Sequence, residues 1–402
     1  MERREFVSVL GGAAVAGRIG GWSDSRIDHP PQEPSLGPEV FARRLDRLRA
    51  ELTTRKLDLL VAPPSTNFEY FTGTNPGRSE RLILLLVPTK GDPAIVCPSF
   101  EVERIKRQSA VQDVRGWEEQ EDPWKLVRTA LDAMKPATRA GQGTIEASLD
   151  YGSWLRLADS AGGNWKWQTG APVTERLRII KYPEEIALIR RAIEITEASI
   201  AATFAALAPG ATEREVARKL SDEMRNRGSS GGGLVQFGPS SALPHGGPAG
   251  TRLGREMVVL IDAGCRVSGY TSDITRTIWY GDTPSDEFKK VFNLVHDAQT
   301  AAMQLGKPFT VRCQEMDRVA RAAITTGGYG VYFTHRLGHG MGMDGHEPPY
   351  MVEGNDAPLE PGMVFTIEPG IYQPGKFGVR IEDDTVVTEN GIEVLSQRPA
   401  KL

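Results

Sequence analysis

Two acidic hairpins and a cluster of histidines carry the residue types best suited to chemistry. Met257-Val258-Val259-Leu260-Ile261-Asp262 reads as a buried apolar strand that delivers an acid. A turn through Ala263-Gly264 follows, and a return strand begins with Asp273 and continues through Thr275-Arg276-Thr277. The same form recurs later: Met363-Val364-Phe365-Thr366-Ile367-Glu368, a Pro369-Gly370 break, then Gly378-Val379-Arg380-Ile381-Glu382-Asp383-Asp384. Carboxylates at the ends of buried strands are costly unless positive charge meets them. Arg276 and Arg380 could answer two of the four acids as plain salt bridges, which leaves Asp262, Asp273, Glu368 and Glu382 short of about two charges. Between the hairpins, Thr334-His335-Arg336-Leu337-Gly338-His339-Gly340-Met341-Gly342-Met343-Asp344-Gly345-His346-Glu347-Pro348-Pro349 packs three histidines among glycines and prolines that forbid a long helix. One such histidine is most often a satisfied core or surface residue; three together favour a site. Four carboxylates with one imidazole form a hard, oxygen-rich donor set. It suits Mn(II), Co(II) or Zn(II), with two ions sharing bridging carboxylates.

The elements that must position these groups fall into two domains. At 402 residues the chain is too long for one small core, and 40% hydrophobic with 25% charged residues is an ordinary globular balance. The net charge of −4 argues against nucleic acid as partner, and no apolar run reaches the roughly 18–20 residues of a membrane span. Cys97, Cys265 and Cys313 form no CxxC pair, so neither a zinc-thiolate site nor a disulfide framework is indicated. Residues 1–36 read as an address and linker. Arg3-Arg4-Glu5-Phe6-Val7 before a short apolar stretch resembles a bacterial twin-arginine export signal, with Ala14-Val15-Ala16 as a cleavage site; a cytoplasmic chain with a chance Arg pair is the alternative. Phe41, Leu45, Leu48 and Leu52 fall at helical spacing, and Leu57 to Ala62, Arg81 to Pro88 and Ala94 to Cys97 read as buried strands. That alternation predicts an α/β domain over 37–172. A second, α+β domain over 173–402 opens with helices from Glu184 to Leu207 and from Thr212 to Arg227, and a helix pair is expected between Ser285 and Thr326. The Gly/Ser stretch Gly228 to Gly233 reads as a loop near a cleft.

The motifs taken together resemble the pita-bread metallopeptidases, in the proline-specific branch of prolidase and aminopeptidase P. The resemblance rests on Asp262-x10-Asp273 with Thr275-Arg276-Thr277, Gly338-His339-Gly340-Met341-Gly342, Ile367-Glu368-Pro369-Gly370 and Arg380-Ile381-Glu382-Asp383. Gly238-Pro239-Ser240-Ser241-Ala242-Leu243-Pro244-His245-Gly246 is similar to that family's substrate-facing histidine loop. Arg178-Ile179-Ile180-Lys181 with Glu184-Glu185-Ile186 is similar to the start of its catalytic domain. Asp58-Leu59-Leu60-Val61, Asn67, Tyr70 to Gly73 and Glu80-Arg81 resemble the N-terminal domain shared with creatinase. Creatinase lacks the metal carboxylates, so a creatinase activity is disfavoured.

The resemblance implies a pita-bread catalytic domain behind a smaller creatinase-like domain, and hydrolysis of Xaa-Pro peptide bonds by a water activated between two divalent ions, manganese first, cobalt or zinc as alternatives. Asp262, Asp273 and Glu382 would hold one ion, and Asp273, His339, Glu368 and Glu382 the other. Glu368 would act as general base and acid, His245 and His346 would hydrogen-bond the substrate or the developing oxyanion, and His335 would line the pocket beyond the scissile bond. Arg380, on the face of Glu382 by period-two alternation, would orient that carboxylate or meet the substrate's own. His346-Glu347-Pro348-Pro349 leans towards the prolidase form, hence towards short peptides, and a homodimer is expected from the family. Two rivals remain: a hydrolase or lyase of a small non-peptide substrate on the same fold, and a non-catalytic binding module.

Overall fold

The computed structural model describes residues 36–246 and 250–402; Arg3, Arg4 and the expected cleavage site lie outside the described residues. The first unit runs α1 (Pro38–Thr54), β1 (Leu59–Ala62), α2 (Thr66–Thr72), β2 (Leu84–Pro88), β3 (Ala94–Pro98), α3 (Val102–Gln108), β4 (Asp113–Trp117), α4 (Pro123–Met134), β5 (Gly141–Ile145), α5 (Tyr151–Ala161), β6 (Trp165–Thr169) and α6 (Ala171–Ile179). Its strands form one sheet in the order β4-β3-β2-β1-β5-β6, parallel at β3–β4, β1–β5 and β5–β6 and antiparallel between. β1 to β3 are buried along their whole length, because helices cover both faces, and so they read as unbroken apolar runs. Pro38 opens α1 at a position where its missing N–H costs nothing, and Val40, Leu45, Leu48 and Leu52 form the buried face. Ser65 caps α2 through its hydroxyl to Phe68 N at 3.1 Å.

The second unit follows with α7 (Pro183–Ala205), α8 (Glu213–Asn226), β7 (Ser230–Phe237), β8 (Met257–Val267), β9 (Tyr270–Thr271), β10 (Ile274–Tyr280), α9 (Asp286–Leu305) and α10 (Cys313–Thr326). It closes with β11 (Gly338–Gly340), β12 (Glu347–Met351), β13 (Val364–Ile367), β14 (Gly370–Gln373), β15 (Phe377–Arg380), β16 (Asp383–Thr388) and β17 (Gly391–Val394). Two antiparallel sheets, β10-β8-β7 and β12-β11-β13-β16-β17, are joined by the short pair β14–β15. Leu188, Ala192 and Ile195 of α7 and Leu220 of α8 pack on Val235 and Ile261 of the first sheet. Phe288, Val291 and Val295 of α9 and Met316 of α10 pack on Phe365, Ile367 and Val379. The apolar sides of both sheets thus face helices, and the sheets meet where Thr275 O accepts from Glu382 N at 3.2 Å and Thr277 Oγ1 donates to Arg380 O at 2.8 Å. The domain boundary expected at 173 falls inside α6, which packs against α1.

Three local expectations are corrected. The Gly/Ser stretch is not a loop: from Ser230 onward it is β7, paired with β8 from Ser230↔Arg266 to Phe237↔Val259. Glycine is required there because a Cβ on Gly233 would strike the carbonyl oxygen of Asp262. Nor does the chain turn at Ala263-Gly264. β8 continues to Val267, and the reversal occurs at Ser268 and Gly269, with φ of 44° and 89°. Finally, Arg276 does not face the four acids. Alternation along β10 sends it to the opposite side from Thr275 and Thr277, where it pairs with Asp383 at 2.7 Å and Glu197 at 3.2 Å.

Candidate metal centre

All nine residues singled out for chemistry line one cavity of about 450 Å3: Asp262, Asp273, Glu368, Glu382, His245, His335, His339, His346 and Arg380, with Pro244 and Arg336 completing the wall. They arrive from separate elements. β8 brings Asp262, the residue before β10 brings Asp273, β11 brings His339, and the chain just after β13 and just before β16 brings Glu368 and Glu382. His346 precedes β12, and His245 stands at the exposed rim beside residues outside the description.

Among the described residues one guanidinium, Arg380, makes ion pairs with the acids: Nη2 lies 2.5 Å from Asp262 Oδ2 and Nε 4.0 Å from Glu382 Oε2. It is aimed by three acceptors. Nε donates to Thr275 Oγ1 at 2.9 Å, and Nη1 to the Tyr372 hydroxyl at 2.8 Å and to Pro244 O at 3.3 Å. Thr275 Oγ1 in turn donates to Glu382 Oε2 at 2.5 Å. Asp273 and Glu382 are pushed well above the usual carboxylate range, first by burial and then by the neighbouring acids. Burial also pushes Glu368 up to about 7, against the pull of Arg380.

The imidazole of His339 shows what the acids lack. Its Nδ1 lies 3.1 Å from the Gly340 carbonyl, which can only accept, so Nδ1 holds the hydrogen. Nε2 therefore turns a lone pair towards Glu368 Oε1 at 3.3 Å and Asp273 Oδ2 at 3.7 Å. Burial, with help from His346, lowers His339 to about 3, so the ring stays neutral. A lone pair and two carboxylates facing one another repel unless a proton or a cation lies between them, and this donor set fits divalent metal ions. Among the described residues, three groups have donor atoms within 4.8 Å of one another: Asp262, Asp273 and Glu382; His339, Glu368 and Glu382; and Asp273, His339 and His346. Glu382, Asp273 and His339 each belong to two groups, and of these the two carboxylates have the pair of oxygens that bridging ligands need.

The other histidines differ in what they can offer. His335 is engaged at both nitrogens: Nδ1 donates to Arg336 O at 2.7 Å, and Nε2 accepts from the Tyr372 hydroxyl at 2.8 Å. It presents only its ring face to a substrate. The exposed His346 ring lies 3.8 Å, centre to centre, from that of His339. Sequence reasoning passed over Tyr372, which ties His335 to Arg380, and Thr366, which donates to Glu368 Oε1 at 3.2 Å. Period two along β13 could have found Thr366, since it lies two residues before Glu368. Arg336 was also missed. Its guanidinium stacks 4.4 Å from the Tyr350 ring centre and has no ion-pair partner among the described residues.

Comparison with known proteins agrees over nearly the whole chain. Residues 187–389 match metallopeptidase family M24, and residues 44–180 match the creatinase/prolidase N-terminal domain. The Xaa-Pro dipeptidase of Lactobacillus helveticus is 37% identical over 359 residues, 88% of this chain and 96% of that protein. Among solved structures, a dipeptidase from Mycobacterium ulcerans superposes with a TM-score of 0.84 at 35% identity, over 92% of this chain and 98% of the other. A prolidase from Thermococcus sibiricus gives 0.82 at 33% identity, over 90% and 98%.

Proposed function

The chain belongs to metallopeptidase family M24, with a pita-bread catalytic domain behind a creatinase-type N-terminal domain, and from that premise we propose that it hydrolyses the Xaa-Pro bond of dipeptides and short peptides. The observation that carries this reading is the convergence of Asp262, Asp273, His339, Glu368 and Glu382 on one cavity, in a chain 37% identical to an Xaa-Pro dipeptidase.

Asp262, Asp273 and Glu382 would hold one divalent ion and Asp273, His339, Glu368 and Glu382 a second, manganese before cobalt or zinc given the oxygen-rich set. When bound, such ions supply the positive charge that makes a water acidic and a carbonyl electrophilic near neutral pH. Glu368, backed by the Thr366 hydroxyl, takes a proton from the attacking water and returns it to the leaving nitrogen. That nitrogen is the imide of proline, which has no hydrogen of its own and cannot be recognised as a donor. His346 and His245 donate to the developing oxyanion or the bound peptide, while Arg380 holds Asp262 and Glu382 in place. Arg336 offers a cation for the carboxylate end of a dipeptide, and a cavity of about 450 Å3 suits a substrate of that size. We further propose export by way of Arg3-Arg4 and a homodimeric assembly.

The test compares Ala-Pro, longer Xaa-Pro peptides and Ala-Ala, each with added Mn(II), Co(II) or Zn(II). Release of proline from Ala-Pro, with Ala-Ala untouched, is expected. Stoichiometric metal with no Xaa-Pro cleavage would point instead to a small non-peptide substrate, and absence of stoichiometric metal to a binding module.

A further inference from the structure

The loop between β11 and β12 ends on His346, and the residues flanking that histidine are gripped from another part of the molecule. Two positions before it, Asp344 Oδ2 pairs with Arg178 Nη2 at 2.7 Å, and Oδ1 accepts from Thr66 Oγ1 at 2.6 Å. One position after it, Glu347 pairs with the same Arg178 guanidinium and, through Oε1, with Lys181 Nζ at 2.8 Å. Arg178 is in turn fixed by Asn67 Oδ1 at 3.2 Å. Thr66 and Asn67 stand on α2 and Arg178 on α6, so the N-terminal unit reaches the catalytic loop directly.

Three members of this knot are deeply buried, while Asp344 is 42% exposed at its edge. The side chains of Lys181, Glu347 and Arg178 are 2%, 6% and 10% exposed. Two cations meet two carboxylates, so the set is neutral without any added ion. The loop packs tightly around it: a Cβ on Gly342 would stand 2.9 Å from Glu347 Oε1 and 3.0 Å from Lys181 Cε. Buried ion pairs are a weak source of stability, since apolar residues of equal volume serve as well. What this one does is local. His346 has no side-chain hydrogen bond among the described residues, and its ring lies against that of His339, so its orientation depends largely on its backbone. That backbone is held by Asp344 and Glu347.

We propose that Arg178 is a positioning residue: with Lys181 it clamps Asp344 and Glu347 and thereby sets the imidazole of His346 in the cavity, making the N-terminal unit part of the catalytic geometry. This rests on the reading of the cavity as an Xaa-Pro hydrolase site. Misplacing a catalytic group by about 1 Å costs on the order of 100-fold, and loss of an orienting partner about 10- to 100-fold.

The experiment uses the metal-loaded full chain as wild type, Arg178→Met, Arg178→Lys, His346→Ala and the double variant Arg178→Met/His346→Ala. kcat and KM on Ala-Pro, metal content and amide exchange are measured for each. Arg178→Met is expected to lower kcat about 10- to 100-fold with metal content unchanged. Arg178→Lys should recover part of that loss. In the His346→Ala background, Arg178→Met should cost less than about twofold more, because both changes act through one group. Exchange should rise in residues 341–351 alone. Multiplicative losses in the double variant, an unchanged kcat in Arg178→Met or His346→Ala, or exchange rising throughout the chain would each overturn the inference. If wild type fails to cleave Xaa-Pro, the functional reading falls, and exchange still decides: a rise confined to 341–351 upholds the clamp, and any other pattern refutes it. Should Arg178→Met not fold, Asp344→Asn is read by the same criteria.

Discussion

Two largely buried charge sets share the segment from His339 to Glu347, and they are balanced differently. Around Glu347, Arg178 and Lys181 answer Glu347 and Asp344 one for one. At the neighbouring cavity, Asp262, Asp273, Glu368 and Glu382 have Arg380 alone among the described arginines and lysines in ion-pair contact, and the imidazole between them is neutral. The balanced set explains itself as structure. The unbalanced one is poor structure and good coordination chemistry, because protonation or a cation must relieve it. A carboxylate cluster is read as a metal site on its charge imbalance, more than on its acidity.

The largest expected effect removes the cation's anchors. Asp273→Ala and His339→Ala should abolish stoichiometric metal binding and lower Xaa-Pro hydrolysis by at least about a thousandfold, with circular dichroism unchanged. Full activity in both would break the contrast, since the unbalanced acids would then have no cation to serve. Next comes a balanced pair elsewhere. Arg44, 1% exposed, pairs with Glu185 at 2.9 Å and donates to the Tyr270 hydroxyl at 2.6 Å, so Arg44→Met should destabilise by about 3–5 kcal/mol in urea unfolding.

The unbalanced set should respond with the opposite sign. In chelator, Glu382→Gln should stabilise the metal-free protein at pH 8 by about 1 kcal/mol or more in urea unfolding. The pH dependence follows from the same shifts. Asp273, Glu382 and Glu368 have folded pKa values raised above their unfolded values, so the folded state binds protons more tightly. Their contribution is fully present below about pH 4 and is lost as pH rises through about 7 and beyond. Thermal scans in chelator should therefore show a higher midpoint at pH 5.5 than at pH 8. Added Mn(II) should reverse that order, because its ligands must shed protons to bind. The smallest effect belongs to an exposed pair. Arg318 meets Glu353 on the surface with both side chains more than half exposed, and Arg318→Ala should leave the midpoint unchanged.

Much of the site was legible because strand-end acids, a Gly-flanked histidine and their order along the chain are one-dimensional facts. The elements bearing strong periodicity were legible too. Phe41, Leu45, Leu48 and Leu52 lie on α1, and the helix expected from Glu184 to Leu207 runs Pro183–Ala205. Errors arose where a partner strand overrode local cues. Glycines that signal a loop by composition instead make room in β7 for the backbone of β8, and Gly264 sits inside a strand because a Cβ there would strike Ser272 O. Arg276 looked like a counter-charge from its nearness in sequence to Asp273, but a strand turns alternate residues to opposite faces.

Residue order and type alone determined the donor set, its hardness and the excess of negative charge, because these depend on composition and strand periodicity. Tertiary structure decided which charges meet: Arg380 rather than Arg276 among the acids, Tyr372 between His335 and Arg380, and Arg178 against a glutamate 169 positions further along. Contacts at that separation are set by how sheets and helices pack, and no local pattern in the chain encodes them.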